Sequence, residues 1–417
     1  MALLDLAEAV SLVRPSDEVR VLRSEHYALS VPADFEDAED WLLLAEPRMQ
    51  GLREHFGAMP PADELLQVQF YADQVSYRAG LAAEGVDPAV TTAGGVYWTG
   101  TRKASFWRQP SRAFTRHLFL HELVHQFHYL AVMDNEPRTP TWYTEGLAEH
   151  FSHHTWDGET LVTGVSDLVM LEENIPSMAA AARAGTLDLE EVASGRMGGP
   201  KPESWALVHW LLAGPDRALT RRFRELERKM WRGAPFTSRV FGTSSSARER
   251  CLAGGVEWLG SLRTTWRIEW IEWDALGQTL VGESSVVGLV RARDASLRGG
   301  LTTTLSGPGR AGVILGFRST GEFLALYHDP LGRVWLTRRS EGRWIELAGA
   351  EVPARERRHL EVAVQKDSRI EVRVDGELAL EATLDAELLD GPPGLFTDAC
   401  RTLFEGTAFQ GAGRGRR

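Results

Sequence analysis

The sequence predicts an α+β chain with a mixed strand-and-helix start, a helical middle and a C-terminal β-sandwich. Three observations predict it. Strand-like runs alternate with helix-period patterns over about 20–110, and packed-helix spacing takes over across 112–262. After residue 264 the apolar period changes to two. A chain of 417 residues suits two to three domains, and the change of period divides it into a first domain, 1–262, and a sandwich, 263–410. Residues 411–417, GAGRGRR, are expected to form a disordered tail.

The elements follow in order. The opening MALLDLAEAVSLVRPSDE has short apolar pieces broken by Asp5 and Glu8, so it reads as neither a secretory signal nor a membrane span. The compartment is left open. Runs 26–31, 66–71 and 95–98 read as strands, and 39–55 as a helix with Trp41, Leu44, Ala45, Met49 and Leu52 on one face. A charged amphipathic helix covers 217–231 and ends at Gly233. The stretch 242–248, GTSSSAR, is expected to begin the changeover to β structure. Trp266, Ile268 and Trp270 alternate with polar residues, then Ile271 and Trp273 resume after a one-residue shift, which predicts a bulge.

Strands at 313–317, 323–327, 334–336, 360–364 and 370–374 complete the pattern. Gly307-Pro308-Gly309, Asp329-Pro330, Glu341-Gly342 and Asp375-Gly376 supply the turns between them. Many short strands with regular turns predict a β-sandwich.

Composition excludes some functions. With 46 basic against 58 acidic residues the formal net charge is −12, which argues against a general nucleic-acid binder. Cys251 and Cys400 cannot make a disulfide framework and do not have metal-knuckle spacing. The 14 Trp, double the 7 Tyr, imply large aromatic cores.

The chemistry concentrates in HLFLHELVHQFHY, residues 117–129. His121 and His125 lie four apart, so on a helix they share one face and can reach one ion. Glu122 falls on the adjacent strip, where it can address a water on that ion. Apolar neighbours on nearly every side, among them Leu118, Phe119, Leu120, Leu123, Val124 and Phe127, bury the helix. Two imidazoles and a carboxylate buried without partners would cost about 1–3 kcal/mol each, and a metal resolves that cost.

A catalytic zinc takes three protein ligands and keeps a fourth position open. His128 lies near the same stripe, but three histidines on one straight helix close poorly around one ion, so it reads as a surface or outer residue. A second helix is expected from Thr139-Pro140, with Thr139 as its cap and 133–138 as the intervening turn. Folded back on the first helix, it lets Glu145 face His121 and His125 as third ligand. Glu149, one turn further on, can then accept the free N–H of a ligating histidine.

HELVH followed, after 19 residues, by the Glu of EGLAEHF resembles the gluzincins, the thermolysin-like and aminopeptidase-like zinc metallopeptidases. The resemblance implies a zincin-like domain holding one zinc per chain through His121, His125 and Glu145. It makes Glu122 the general base and Glu149 the outer carboxylate. The aminopeptidase branch carries an amine-binding glutamate on an upstream edge strand, whereas here Gly94-Gly95-Val96-Tyr97-Trp98 has no acid. An endopeptidase is therefore expected. Members of this group stabilise the oxyanion with a downstream Tyr or His, and no Tyr occurs between Tyr143 and Tyr327. His209, between Trp205 and Trp210, is the candidate donor, with Tyr97 and Tyr143 as substrate contacts and His153 and His154 as alternatives.

The C-terminal part resembles a concanavalin A-like or laminin-G-like jelly roll, on AGVILGFR, VRVDGE and GLFTDACRTLFEGTAF. That resemblance implies a glycan or protein ligand, with Trp335 and Trp344 as candidate sugar platforms. The expected function is a zinc peptidase acting on peptide or protein substrates. A binding or adhesion protein with an inactive zincin-like domain, and a zinc hydrolase of non-peptide bonds, are the alternatives.

Overall fold

The computed structural model describes residues 19–410, except for 36–37, 63, 88, 90, 92, 110–111, 157, 165–173, 197–201, 264–265, 271–272, 277–278, 284–286, 293–296, 298, 330 and 399. The expectations for the N-terminal stretch, Pro330, Ile271 and the 411–417 tail lie outside the described residues.

The mixed start is a five-stranded sheet with two helices. In chain order it runs β1 (Val19–Arg23), β2 (Tyr27–Pro32), α1 (Ala38–Phe56), β3 (Leu66–Tyr71), α2 (Gln74–Ala83), β4 (Gly95–Trp98) and β5 (Lys103–Trp107). The strand order is β1-β2-β3-β5-β4. The centre is parallel, while β4 runs antiparallel to β5 and closes one edge. α1 buries Trp41, Leu44, Ala45, Met49 and Leu52, the face its period predicts, and with them Arg48.

The helical layer follows: α3 (Arg112–Val132), α4 (Thr141–Ser152), the hairpin β6 (His154–Trp156) and β7 (Leu161–Thr163), then α5 (Asn174–Ala184), α6 (Leu189–Ala193), α7 (Pro202–Ala213), α8 (Arg217–Met230) and α9 (Ser245–Ser261). α3 is buried along most of its length, because the sheet, α1 and α4 pack around it. His128, expected near the helix surface, is fully enclosed against Phe56 and Tyr143. α4 starts one residue later than the sequence suggests. Pro140 holds the cap position without a side-chain bond, and the Thr139 hydroxyl instead meets Thr144 Oγ1 at 2.8 Å. The GTSSSAR stretch does not begin β structure: Ser244 caps α9 through the Ala247 amide, and the chain stays helical to Ser261.

The C-terminal strands are β8 (Trp266–Trp270), β9 (Trp273–Leu276), β10 (Thr279–Glu283), β11 (Val287–Ala292), β12 (Gly300–Ser306), β13 (Arg310–Ser319), β14 (Glu322–Asp329), β15 (Arg333–Ser340), β16 (Arg343–Glu351), β17 (Arg357–Val364), β18 (Arg369–Val374), β19 (Glu377–Thr383), β20 (Gly394–Asp398) and β21 (Arg401–Gln410). They form two sheets, ordered β19-β18-β17-β12-β21-β10-β9-β6-β7 and β16-β15-β14-β13-β20-β11-β8. Leu301, Val313, Leu326, Leu336, Val362 and Val372 fill the core between them. Asp375 (φ 52°) and Gly376 (φ 86°) both take the left-handed conformation that a two-residue hairpin turn requires.

Two features depart from the sequence reading. The period shift between Trp270 and Trp273 separates β8 and β9, which belong to different sheets, and the irregularity itself lies one residue earlier, where Leu289 pairs with Trp270 and Val290 with Ile268. The helical region also contains the β6–β7 hairpin, which extends the nine-stranded sheet by pairing Trp156 in parallel with Leu276. A three-residue strand is too short for a period to register in the sequence.

Candidate functional site

α3 delivers His121 and His125 on one face, and α4 folds back to face it. The two Nε2 atoms stand 3.0 Å apart. Glu145 Oε2 lies 3.5 Å from His121 Nε2 and 3.6 Å from His125 Nε2. Ligands of a tetrahedral zinc at ~2.05 Å are separated from one another by about 3.3 Å, so three donors with these edges surround a position of the right size. Two imidazoles and one carboxylate also match zinc in donor type. Burial favours the neutral acid of Glu145, but His125 and His121 outweigh it and hold the carboxyl far below its ordinary range.

Glu149 lies behind this group. Its Oε1 is 3.4 Å from His121 Nδ1, the nitrogen facing away from Glu145, and its Oε2 is 3.4 Å from His117 Nε2. His153 Nε2 is 3.8 Å from the same oxygen. Burial opposes the charge on Glu149, yet His117, His121 and His153 bring its pKa down to about 2. An ionised carboxylate facing Nδ1 favours a proton on that nitrogen, which would leave Nε2 to donate its lone pair to a metal.

Glu122 is 4% exposed and faces the edge strand. The Tyr97 backbone N–H hydrogen-bonds to its carboxylate. A Cβ built on Gly95 would meet Glu122 Cγ at 2.8 Å and Oε1 at 2.9 Å, so only glycine lets the strand lie this close. Burial raises the Glu122 pKa, and Glu145 adds to the rise against the lowering by His121 and His125. A carboxylate held in that way accepts a proton more readily than an ordinary glutamate.

The other expected residues have different places. The Tyr97 side chain donates to Asn135 Oδ1 at 2.6 Å and packs its ring on Tyr129, so it is the Tyr97 backbone that addresses Glu122. Tyr143 is fully buried: its hydroxyl donates to Glu227 Oε1 at 3.0 Å and accepts from Trp231 Nε1 at 3.0 Å, which ties α4 to α8 instead of contacting a substrate. His209 is 1% exposed, stacked between Trp205 and Trp258, with its Nδ1 2.9 Å from that of His150. Burial brings its pKa to about 4, and its partners lie outside the His121–His125–Glu145 group, which removes it as an oxyanion donor. His154 sits in β6, with its Nε2 accepting from Arg116 Nε.

Three residues escaped the sequence reading. His117 extends the α3 stripe one turn back from His121, and that i−4 spacing was the available signal. Tyr129, one turn beyond His125, is close enough to feel the Glu145 charge. Tyr77, fully buried on α2 and within electrostatic reach of Glu122, left no local signature.

No protein-family model matches the chain, and no curated protein matches it. Solved structures do. A carbohydrate-binding module, CBM66 from Bacillus subtilis, is 17% identical over 34% of this chain and 94% of its own, with a TM-score of 0.31. The Caenorhabditis elegans galectin LEC-6 is 14% identical over 31% of this chain and 96% of its own (TM-score 0.25). Sheep galectin-11 is 10% identical over 30% and 98% (TM-score 0.22). These are β-sandwich domains, in keeping with the C-terminal sandwich, whose assignment here rests on its two packed sheets.

Proposed function

We propose that the chain is a zinc-dependent peptidase of gluzincin type, an endopeptidase, with one zinc held by His121, His125 and Glu145. The observation that carries this reading is the convergence of those three donors at 3.0, 3.5 and 3.6 Å beside the buried carboxylate of Glu122. A zinc bound there supplies a Lewis acid for the scissile carbonyl and an acidified water. Glu122 takes the proton of the attacking water at its carboxylate and returns it to the leaving amine. Glu149 keeps the His121 ring in one tautomer during this exchange. β4 lies at the end of its sheet, so an extended peptide can add beside it and bring a backbone carbonyl towards Glu122. The absence of an acid on β4 removes the usual partner for a free N-terminus, which favours internal bonds.

Metal analysis with a mixed peptide library tests the reading. Wild type is expected to carry about one zinc and to cleave. Glu122→Gln is expected to keep the metal and lose cleavage, and His121→Ala to lose both. Wild type without metal in excess zinc would overturn the site. Wild type with metal but no peptide cleavage would leave another hydrolysed bond, or binding, as its role.

A second reading concerns the sandwich and rests on a surface cavity of about 540 Å³ lined by Arg310, Tyr327, Asp329, Trp335, Trp344 and Glu346. Trp335 Nε1 donates to Asp329 Oδ2 at 2.9 Å, which fixes its ring, and Trp344 keeps 38% of its surface exposed. Fixed aromatic faces beside carboxylate and guanidinium groups suit stacking on a sugar ring with hydrogen bonds to its hydroxyls. A glycan array on the intact protein, repeated with Trp344→Ala, tests this: binding to no glycan would sink it.

A further inference from the structure

Arg48 is a fully buried charge in the N-terminal core. It projects from α1 with no exposed surface, and Nε, Nη1 and Nη2 all lack a hydrogen-bond partner among the described residues. A guanidinium carries five N–H donors and does not deprotonate in a protein at neutral pH, so it cannot escape the cost of burial by losing its charge. Burial does push its pKa down to about 9, and the only group opposing that fall is Tyr27. Among the described residues no carboxylate contributes to its charge balance.

The neighbours explain why none of them serves. The guanidinium lies 5.0 Å from the centre of the Phe151 ring, whose π face softens the charge but accepts none of the N–H bonds in plane. Glu46, on the same helix, is taken by His26, through the backbone N–H at 3.0 Å and Nδ1 at 2.7 Å. The imidazoles of His55, His150 and His154 feel the Arg48 charge, and it drives each towards its neutral form. Tyr27 is also fully buried, and its hydroxyl has no partner either. A cationic fork and a phenolic O–H thus stand unused in electrostatic contact, inside an otherwise packed core.

We propose that Arg48 and Tyr27 bind one small monovalent anion of the halide class, chloride under ordinary conditions. One negative charge neutralises one guanidinium, whereas a divalent oxyanion would leave a second charge buried. A sphere accepts from the guanidinium fork and the phenol together, with no direction of its own to satisfy. Neither residue has exposed surface, so an anion carrying an organic body has no way to project from the site.

Bromide is the probe. Crystals of the full chain grown in bromide are expected to give an anomalous peak about 3.3 Å from a guanidinium nitrogen of Arg48. The melting temperature is expected to rise by several degrees, and to saturate, when gluconate is replaced by chloride at fixed ionic strength. Tyr27→Phe should weaken that response and Arg48→Met should abolish it. Should Arg48→Met fail to fold, the bromide peak and the Tyr27→Phe response decide. No bromide at Arg48, only water there, or a chloride response that survives in Arg48→Met would overturn the proposal.

Discussion

Gly95 on the edge strand and Glu122 on the histidine helix are in contact with no room for a methyl group. A Cβ at Gly95 would stand 2.8 Å from Glu122 Cγ, 2.9 Å from Oε1 and 3.1 Å from Cδ. Gly95→Ala is therefore expected to shift the Glu122 carboxylate while leaving the three donors in place. If Glu122 is the general base proposed above, displacing it by about 1 Å costs on the order of 10²-fold in rate. Zinc content should stay at the wild-type level while kcat falls; a fully active Gly95→Ala enzyme would show that Glu122 is not held by this contact.

Glu149 faces His121 Nδ1 with one oxygen and His117 Nε2 with the other, each at 3.4 Å. Glu149→Ala should lower zinc affinity by about 10–100-fold, since such outer partners orient the ligand. His117→Phe should produce a smaller loss in the same direction. Competition with a chelator measures both.

Tyr143 serves structure in this fold. Tyr143→Phe removes a hydrogen bond to a buried charged group and should cost about 1.5–3 kcal/mol in denaturant unfolding. kcat and KM on a cleaved peptide should not change. A raised KM would restore Tyr143 as a substrate contact.

Glu227 receives Tyr143, lies beside His55 at 3.5 Å and pairs with Arg224 Nη1 at 2.6 Å. Burial pushes its pKa up, but His55, Arg224 and Tyr143 together bring it below the ordinary 4.5. A carboxyl with a folded pKa below its unfolded value stabilises the protein above about 4.5, and that contribution is lost as the pH falls through the folded value. Glu227→Gln should be about 3–5 kcal/mol less stable at pH 7. Its stability should also fall less steeply than that of wild type below pH ~4.5.

In the sandwich, Asp375 combines a turn with a charge partner. Its Oδ2 accepts from Arg358 Nη1 at 2.9 Å and its Oδ1 from the His359 N–H at 2.9 Å, and the Arg358 side chain is fully buried. Asp375→Ala strands that guanidinium and should cost about 2 kcal/mol, less than for a wholly buried pair because Asp375 itself is partly exposed. Thermal unfolding of the full chain measures it.

The local elements were legible in the sequence because each depends on residues close together in the chain. α1, β3 and β4 follow from spacing alone, as do β13, β14, β15, β17, β18 and the Asp375-Gly376 turn, whereas β16 is not among the predicted strands. The His121, Glu122, His125, Glu145 and Glu149 set was also legible, since a four-residue helical repeat and one short turn suffice to set it out. His209 and Tyr143 were misread for the opposite reason. Their partners, His150 and Glu227, lie 59 and 84 residues away, and no periodicity carries that information.

By itself the sequence determined an α+β chain, the histidine helix and the strand-and-turn rhythm of its last third. All of these are set by backbone geometry over a few residues. Only the tertiary structure decided that β6 and β7 extend a sandwich sheet and that β8 and β9 separate into opposite sheets. It alone seated Gly95 against Glu122, His117 behind Glu149, and the Arg48 guanidinium in a core where no described residue takes its hydrogen bonds. Those relations depend on which surfaces meet when distant segments pack, and burial then fixes what each polar group must pair with.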